Sequence, residues 1–170
     1  MRSQVAILAL VLGLAAGCEY NVPVTVHHAI PVDPAVLGLW QAVPEDGKTV
    51  DADERLLVLK YSDTEYLIRY PSGKNGMFFR GYPVKIGDQV CVQIQLIGTN
   101  NEPAQAEDRK YHVVSYAATP DTLEVRTLNT EVVPKTATTG DELLRSIQTN
   151  LRNLNLFHDP GRFRKVGTGE

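Results

Sequence analysis

Only two cysteines, Cys18 and Cys91, and one tryptophan, Trp40, occur in this chain. Basic residues never gather into a block: 17 Lys and Arg stand against 20 Asp and Glu, for a net charge of -3. Proteins that bind nucleic acid concentrate Lys and Arg on one face or along one helix, so this composition argues against a nucleic-acid partner. The apolar run from Val5 to Ala16 falls short of the roughly 20 residues that a membrane-spanning helix needs. Catalytic signatures are missing as well. There is no G-x-S-x-G, no phosphate-cradling glycine loop and no HExxH. Paired carboxylates for acid–base work would have to come from different strands. The sequence thus names no catalytic residue, no metal site and no cofactor.

What is present begins at the amino end. Met1-Arg2-Ser3-Gln4 carries one positive charge, the apolar run follows, and Gly17-Cys18-Glu19 closes it. A basic start, a short apolar stretch and a small-residue exit are the parts of a secretory signal. Leu14-Ala15-Ala16-Gly17-Cys18 resembles the lipobox of bacterial lipoproteins. That resemblance implies cleavage before Cys18, a lipid on its sulfur, and a cell-envelope protein held on a membrane. Two or more acyl chains give stable attachment, since each buried CH2 contributes about 0.8 kcal/mol. Glu19 stands where aspartate resembles an inner-membrane retention signal, which points to the outer membrane, at its periplasmic side or surface. Arg2 is the only charged residue before Cys18, so the mature chain carries 16 Lys and Arg and remains acidic. With Cys18 lipidated, Cys91 has no partner for an intrachain disulfide. Its place in an apolar strand-like run predicts a buried, inert thiol.

Residues 1–17 are therefore expected to be the leader and 18–33 a tether. One domain is expected over 34–166, followed by a tail at 167–170. The 18–33 segment holds Pro23 and Pro31 and no helical period, which suits a spacer lifting the domain off the membrane. Asp33-Pro34 then opens a short turn of helix. Strand after strand follows, at 38–43, 56–61, 65–70, 77–82, 90–97, 111–117 and 123–128, separated by turn clusters. Residues 129–133 extend the last of these. Thr139 and Glu142 have the spacing of a capping box. Leu143, Leu144, Ile147, Leu151 and Leu154 recur at helical spacing behind it. Asp159-Pro160-Gly161 reads as a turn into a short final strand at 162–166. The order predicts a mainly β fold: an antiparallel up-and-down barrel of about eight strands, with one C-terminal helix before a short last strand. A barrel removes exposed strand edges; a two-sheet sandwich is the alternative.

Leu37-Gly38-Leu39-Trp40, at the entry to the first strand, resembles the G-x-W signature of lipocalins and the wider calycin group. The preceding turn, the meander and the late helix agree with that layout. The resemblance implies that Trp40 closes the barrel floor, that Gly38 lets the backbone pass close, and that a late basic residue packs across the indole. Arg164 is the expected partner and Arg162 the second. A cation over indole gains roughly 0.5–2 kcal/mol. No T-D-Y-type second motif and no disulfide pair accompany the signature.

Other residues invite chemistry and have plainer readings. His27, His28, His112 and His158 show no ligand spacing. The acidic stretch 45–54 lacks the spacing of a calcium loop and reads as solvated. In the strand around 90–97, Val90, Val92, Ile94 and Leu96 share one face, and Gln93 and Gln95 the other. Either the glutamines line a lumen, or they face solvent while the apolar set fills the core. The aromatics Tyr66, Tyr70, Phe78, Phe79, Tyr82, Tyr111 and Tyr116 line a pocket or form core. Three functions are compatible with these features: a non-enzymatic lipoprotein binding a small apolar ligand, a protein-interaction module of the envelope, and an envelope hydrolase. A lumen of several hundred cubic ångströms would favour the first. A filled core with an exposed apolar patch would favour the second, and convergent titratable groups in a cleft the third.

Overall fold

The computed structural model describes residues 19–167. Cys18, with the lipidation assigned to it, and the leader before it lie outside the described residues. Eight antiparallel strands follow one another: β1 (Gly38–Ala42), β2 (Arg55–Lys60), β3 (Tyr66–Tyr70), β4 (Met77–Ile86), β5 (Gln89–Thr99), β6 (Tyr111–Ala118), β7 (Thr122–Leu128) and β8 (Phe157–Lys165). They close into a barrel in that order, with Trp40 of β1 opposite Lys165 of β8. One α-helix, α1 (Gly140–Thr149), stands between β7 and β8. The expected up-and-down barrel with a late helix is the fold, and the sandwich is excluded.

Two apolar clusters hold it together, one on each side of the sheet. Inside the barrel, Trp40, Val58, Tyr66, Phe79, Ile94 and Phe163 form the lumenal core. Outside, Val84, Ile86, Cys91 and Val113 are covered by α1 and by the chain leading into the barrel. This second core explains why β4 and β5 run longer than the sequence suggests. Val84, Ile86 and Cys91 are buried on the outer face, so both strands stay buried past the point where a one-sided sheet would meet water.

Thr139 caps α1 as expected, and Glu142 reaches back one residue past the cap, to Thr138. The Glu142 N–H donates to Thr139 Oγ1 at 3.3 Å, and the Glu142 carboxylate accepts from the Thr138 N–H at 2.8 Å. Leu143 and Ile147 are fully buried. The leucine stripe does not continue as expected. The helix ends at Thr149 and the chain turns at Asn150 and Asn153, leaving Leu151 44% and Leu154 96% exposed. The final strand is also corrected. It begins at Phe157 rather than Arg162. Asp159, expected in a turn, adopts φ 51° inside the strand, and the register against β7 shifts between Val125 and Thr127. A left-handed residue, which Asp tolerates better than most, absorbs an extra position as a bulge and lets pairing continue. Residues 129–133 form a turn rather than an extension of β7.

The floor of the barrel is a short 3-10 turn, Pro34–Val36, capped by the Asp33 carboxylate on the Ala35 N–H at 2.9 Å. Trp40 is wholly buried above it and donates its indole N–H to Val36 O at 2.9 Å. Lys165, not Arg164, lies across the indole, with Nζ 4.3 Å from the ring centroid. The reason is strand parity. Phe163 and Lys165 point inward, so Arg162 and Arg164 between and beside them point to solvent. Gly38 has φ +124°, a conformation that side chains avoid, and a Cβ there would stand 3.0 Å from Lys165 Cε. Glycine thus lets the lysine reach the tryptophan.

Of the segment 18–33, expected as a tether, the described residues 19–33 form instead a strap laid on the outer wall. Tyr20 exchanges backbone hydrogen bonds with Tyr111, at 2.8 and 3.0 Å, and is 1% exposed. Farther along, Val24 is buried and the Val32 N–H donates to Asp63 O at 2.9 Å. Apolar residues at 20 and 24 find the outer face of β5 and β6 apolar too, and burying both outweighs the freedom of a loose linker.

Candidate functional site

The lumen is the natural place for a ligand in a small barrel. Here it encloses a cavity of only about 70 Å³, lined by residues such as Leu56, Val58, Ile68, Phe79, Ile94 and Val125. Ligand pockets run about 300–1,000 Å³. The aromatics account for much of the filling. Tyr66, Tyr70, Phe79 and Tyr116 line the interior. Phe78 lies beneath the Arg69 guanidinium and Tyr82 beneath His28, both on the outer wall.

The phenols that edge the cavity are already committed. Tyr66 Oη accepts the Asp33 N–H at 2.7 Å, and Tyr116 Oη donates to the Asp33 carboxylate at 3.1 Å. Tyr70 Oη donates to the Glu54 carboxylate. Burial pushes all three phenols above their ordinary range, most strongly Tyr70 and Tyr116. They are neutral hydroxyls that fix the floor turn and the 43–54 loop, unsuited to act as bases near neutral pH. Among the described residues, no three His, Cys, Asp or Glu side chains converge as metal ligands.

The glutamines lie on the outward face while Val92, Ile94 and Leu96 fill the core, as the second reading has it, but Gln93 does not meet solvent. It is fully buried beneath the strap. Its Oε1 accepts the Val24 N–H and its Nε2 donates to Thr25 O at 3.1 Å. One side-chain amide thereby gives the strap what a neighbouring strand would give. Gln95, nearer the strand end, donates to Arg109 O at 3.1 Å. Cys91 is buried in the same outer seam, and burial pushes its thiol up to about 12.

The lower half of the strap is held by charge. His28 stacks on Tyr82 with ring centroids 3.6 Å apart, and its Nδ1 lies 2.7 Å from Glu65 Oε1. Arg80 grips the same carboxylate through Nε and Nη2, at 2.7–3.1 Å. Glu65 is 7% exposed beneath this single layer of side chains. Hydrogen bonding from Arg80, and secondarily from His28, holds its pKa below the ordinary glutamate value. A depressed carboxylate contributes stability that is present above its unfolded value of about 4.3 and is lost as pH falls through the folded value. Acidification below about pH 4.3 is expected to lower the melting temperature of the native chain more than that of Glu65→Gln. Parallel thermal melts across the acid range check this; superimposable pH profiles would show that the clasp carries no linkage.

Compared with family models, with curated proteins and with solved structures, the chain matches none.

The outer wall away from the strap offers a different kind of surface. Leu39, Leu57, Leu59 and Leu67 belong to neither core cluster. Register brings them together on β1, β2 and β3, with Leu39 opposite Leu57 and Leu59 opposite Leu67. Leu59 is 44% exposed and Tyr61, just beyond it, 67%. Arg55, Arg69 and Arg80 edge this patch. Arg69 sits opposite Leu57 and Arg80 opposite Leu67. An alternating strand normally places polar residues here; four leucines in register do not follow that rule. The sequence offered a signal in Leu56-Leu57-Val58-Leu59, a run apolar on both faces, but without pairing partners it could not show which leucines were left outside.

Proposed function

We propose that this protein is a lipid-anchored, non-enzymatic lipoprotein of the bacterial envelope that works through the outside of its barrel, as a protein-interaction module. The cavity of about 70 Å³ carries the reading, because it is several-fold too small for a lipid-like ligand. A lumen of this size gives little support to the first of the two binding functions. The leucine patch between β1 and β3 supplies the alternative, since a contiguous apolar surface on a small domain marks a contact site. Its arginine edge fits a protein whose own contact surface is apolar at the centre and acidic at the rim. The lipobox supports the anchor, and the barrel with Trp40 at its floor is compatible with a lipocalin-like lipoprotein whose interior has closed.

Two measurements test this. Cys18→Ala is expected to abolish precursor processing and move the protein out of the membrane fraction; unchanged fractionation would remove the anchor from the proposal. Native mass spectrometry of the mature, unlipidated chain is expected to give a bare protein mass. A bound small molecule surviving ionisation would return the function to the lumen.

A further inference from the structure

The wall next to the leucine patch carries charge instead. Arg126 on β7 and Arg162 and Arg164 on β8 point outward, because their neighbours Val125 and Phe163 point into the core. Register extends the band onto β1 and β2. Arg164 lies opposite Gln41, and Gln41 opposite Arg55. The carboxylates on these strands are Glu124 on β7 and, toward the start of β8, the exposed Asp159, which lies 3.3 Å from His158 Nδ1. Glu124 is shared by Arg126 at 2.8 Å and Arg162 at 3.1 Å. Arg164 has no ion pair among the described residues. Two shallow concavities of about 460 and 370 Å³ adjoin over the band, and Val43 and Arg164 line both. This excess of positive charge sits on a chain whose net charge is -3.

The strap fixes where an anchor leaves the barrel. Tyr20 is held by two backbone hydrogen bonds to Tyr111, the first residue of β6, and by its hydroxyl on Val133 O at 2.8 Å. Cys18 is two positions earlier, so the chain can reach only about 7 Å beyond that point. One neighbour of β6 is β7, which begins the arginine band. The leucine patch is centred on β2, the strand diametrically opposite β6 in an eight-strand barrel.

We infer that the β7–β8–β1 wall lies against an anionic phospholipid bilayer, with Arg126, Arg162 and Arg164 meeting headgroup phosphates. The inference rests on the lipid-anchor reading for the closeness of the membrane. Planar guanidinium groups suit phosphate oxygens, and a basic surface beside an acyl anchor supplies a second, electrostatic attachment. A bilayer is favoured over an acidic protein because the anchor leaves at the start of β6, one strand from β7, and a wall lying lengthwise on the membrane brings Arg162 and Arg164, at the opposite end of the strands, to the same surface. In this posture Leu39 on β1 lies at the edge of the contacting wall, and Leu57, Leu59 and Leu67 on β2 and β3 face sideways, open to a partner.

The test uses the mature chain with Cys18→Ser, which keeps both core clusters whole, and phosphatidylcholine vesicles with and without phosphatidylglycerol. Co-sedimentation is expected only with the phosphatidylglycerol vesicles, and it should weaken as salt is raised. The variant R126Q/R162Q/R164Q is expected to lose about a hundredfold in partitioning, from about 1 kcal/mol per basic residue near the surface. A control of equal charge change behind the strap and helix, K135Q/R145Q/R152Q, is expected to bind like the parent. All substituted positions are exposed, and an unchanged near-ultraviolet spectrum from Trp40 confirms that each variant is folded. No binding to phosphatidylglycerol vesicles at low salt, or equal loss in both variants, overturns the inference. Failure of the anchor shows separately, in the Cys18→Ala fractionation, which involves no added vesicles.

Discussion

Trp40→Ala is expected to cost the barrel about 3–5 kcal/mol, the range for removing a large buried aromatic. The indole is wholly enclosed and touches three parts of the chain at once: its own strand, the floor turn through Val36 O, and the last strand through Lys165. Truncation opens a void at the point where β1 and β8 close the sheet, so collapse around it is limited by the ladder on both sides. It also strands the Lys165 ammonium, whose neighbours there are the ring and Leu37 O. Denaturant titration measures the loss. Lys165→Met separates the contributions. It keeps the packing stem and removes the cation together with its hydrogen bond to Leu37 O, so about 0.5–2 kcal/mol from the ring contact and about 1 kcal/mol from the hydrogen bond are expected. If Arg164→Met cost as much as Lys165→Met, the assignment of the stacking cation would be wrong.

That assignment shows how far the sequence carries the fold. Strand alternation and turn residues were enough for eight strands, their order and the late helix, because those signals are local. The cation over Trp40 depended on a single step of register. Arg164 and Lys165 are adjacent, and the bulge at Asp159, invisible as such in Asp159-Pro160-Gly161, removes any simple count from the turn to the floor. Leu151 and Leu154 misled for a related reason: helical spacing continues past Thr149, but Asn150 and Asn153 end the helix with hydrogen bonds that periodicity does not register. The strap was misread because Pro23 and Pro31 exclude regular structure without excluding contact. What holds it, Gln93 from β5 and Glu65 from just before β3, lies 69 and 37 residues away from its partners in the strap. The leucine patch and the arginine band are likewise properties of pairing. Each residue is unremarkable on its own strand, and the surface exists only once β1, β2, β7 and β8 are neighbours.

Tyr20→Ala is expected to release the strap without unfolding the barrel. Tyr20 is 1% exposed, and its ring packs in the outer cluster while its hydroxyl satisfies Val133 O. Losing that side chain costs about 3 kcal/mol by the large-to-small scale for aromatics. The cost has a ceiling, because a terminal segment can detach once its docking energy is exhausted, leaving the closed sheet and lumenal core intact. Detachment uncovers Gln93 and the seam around Cys91, which gives the event its own readout. In the native protein Cys91 is buried and its thiol is raised to about 12, so labelling at neutral pH should be very slow. A weakening of about 3 kcal/mol raises the open population, and with it the labelling rate, on the order of a hundredfold. The circular dichroism of the barrel should change little. Fast labelling with an intact barrel would establish the strap as a separately unfolding unit. If Cys91 stayed unreactive in Tyr20→Ala, the shield would be α1, whose Leu143 and Ile147 close the other side of the same seam. If instead labelling rose only together with loss of the barrel signal, strap and barrel would be one cooperative unit. Residues 20–33 would then belong to the domain as fully as any strand.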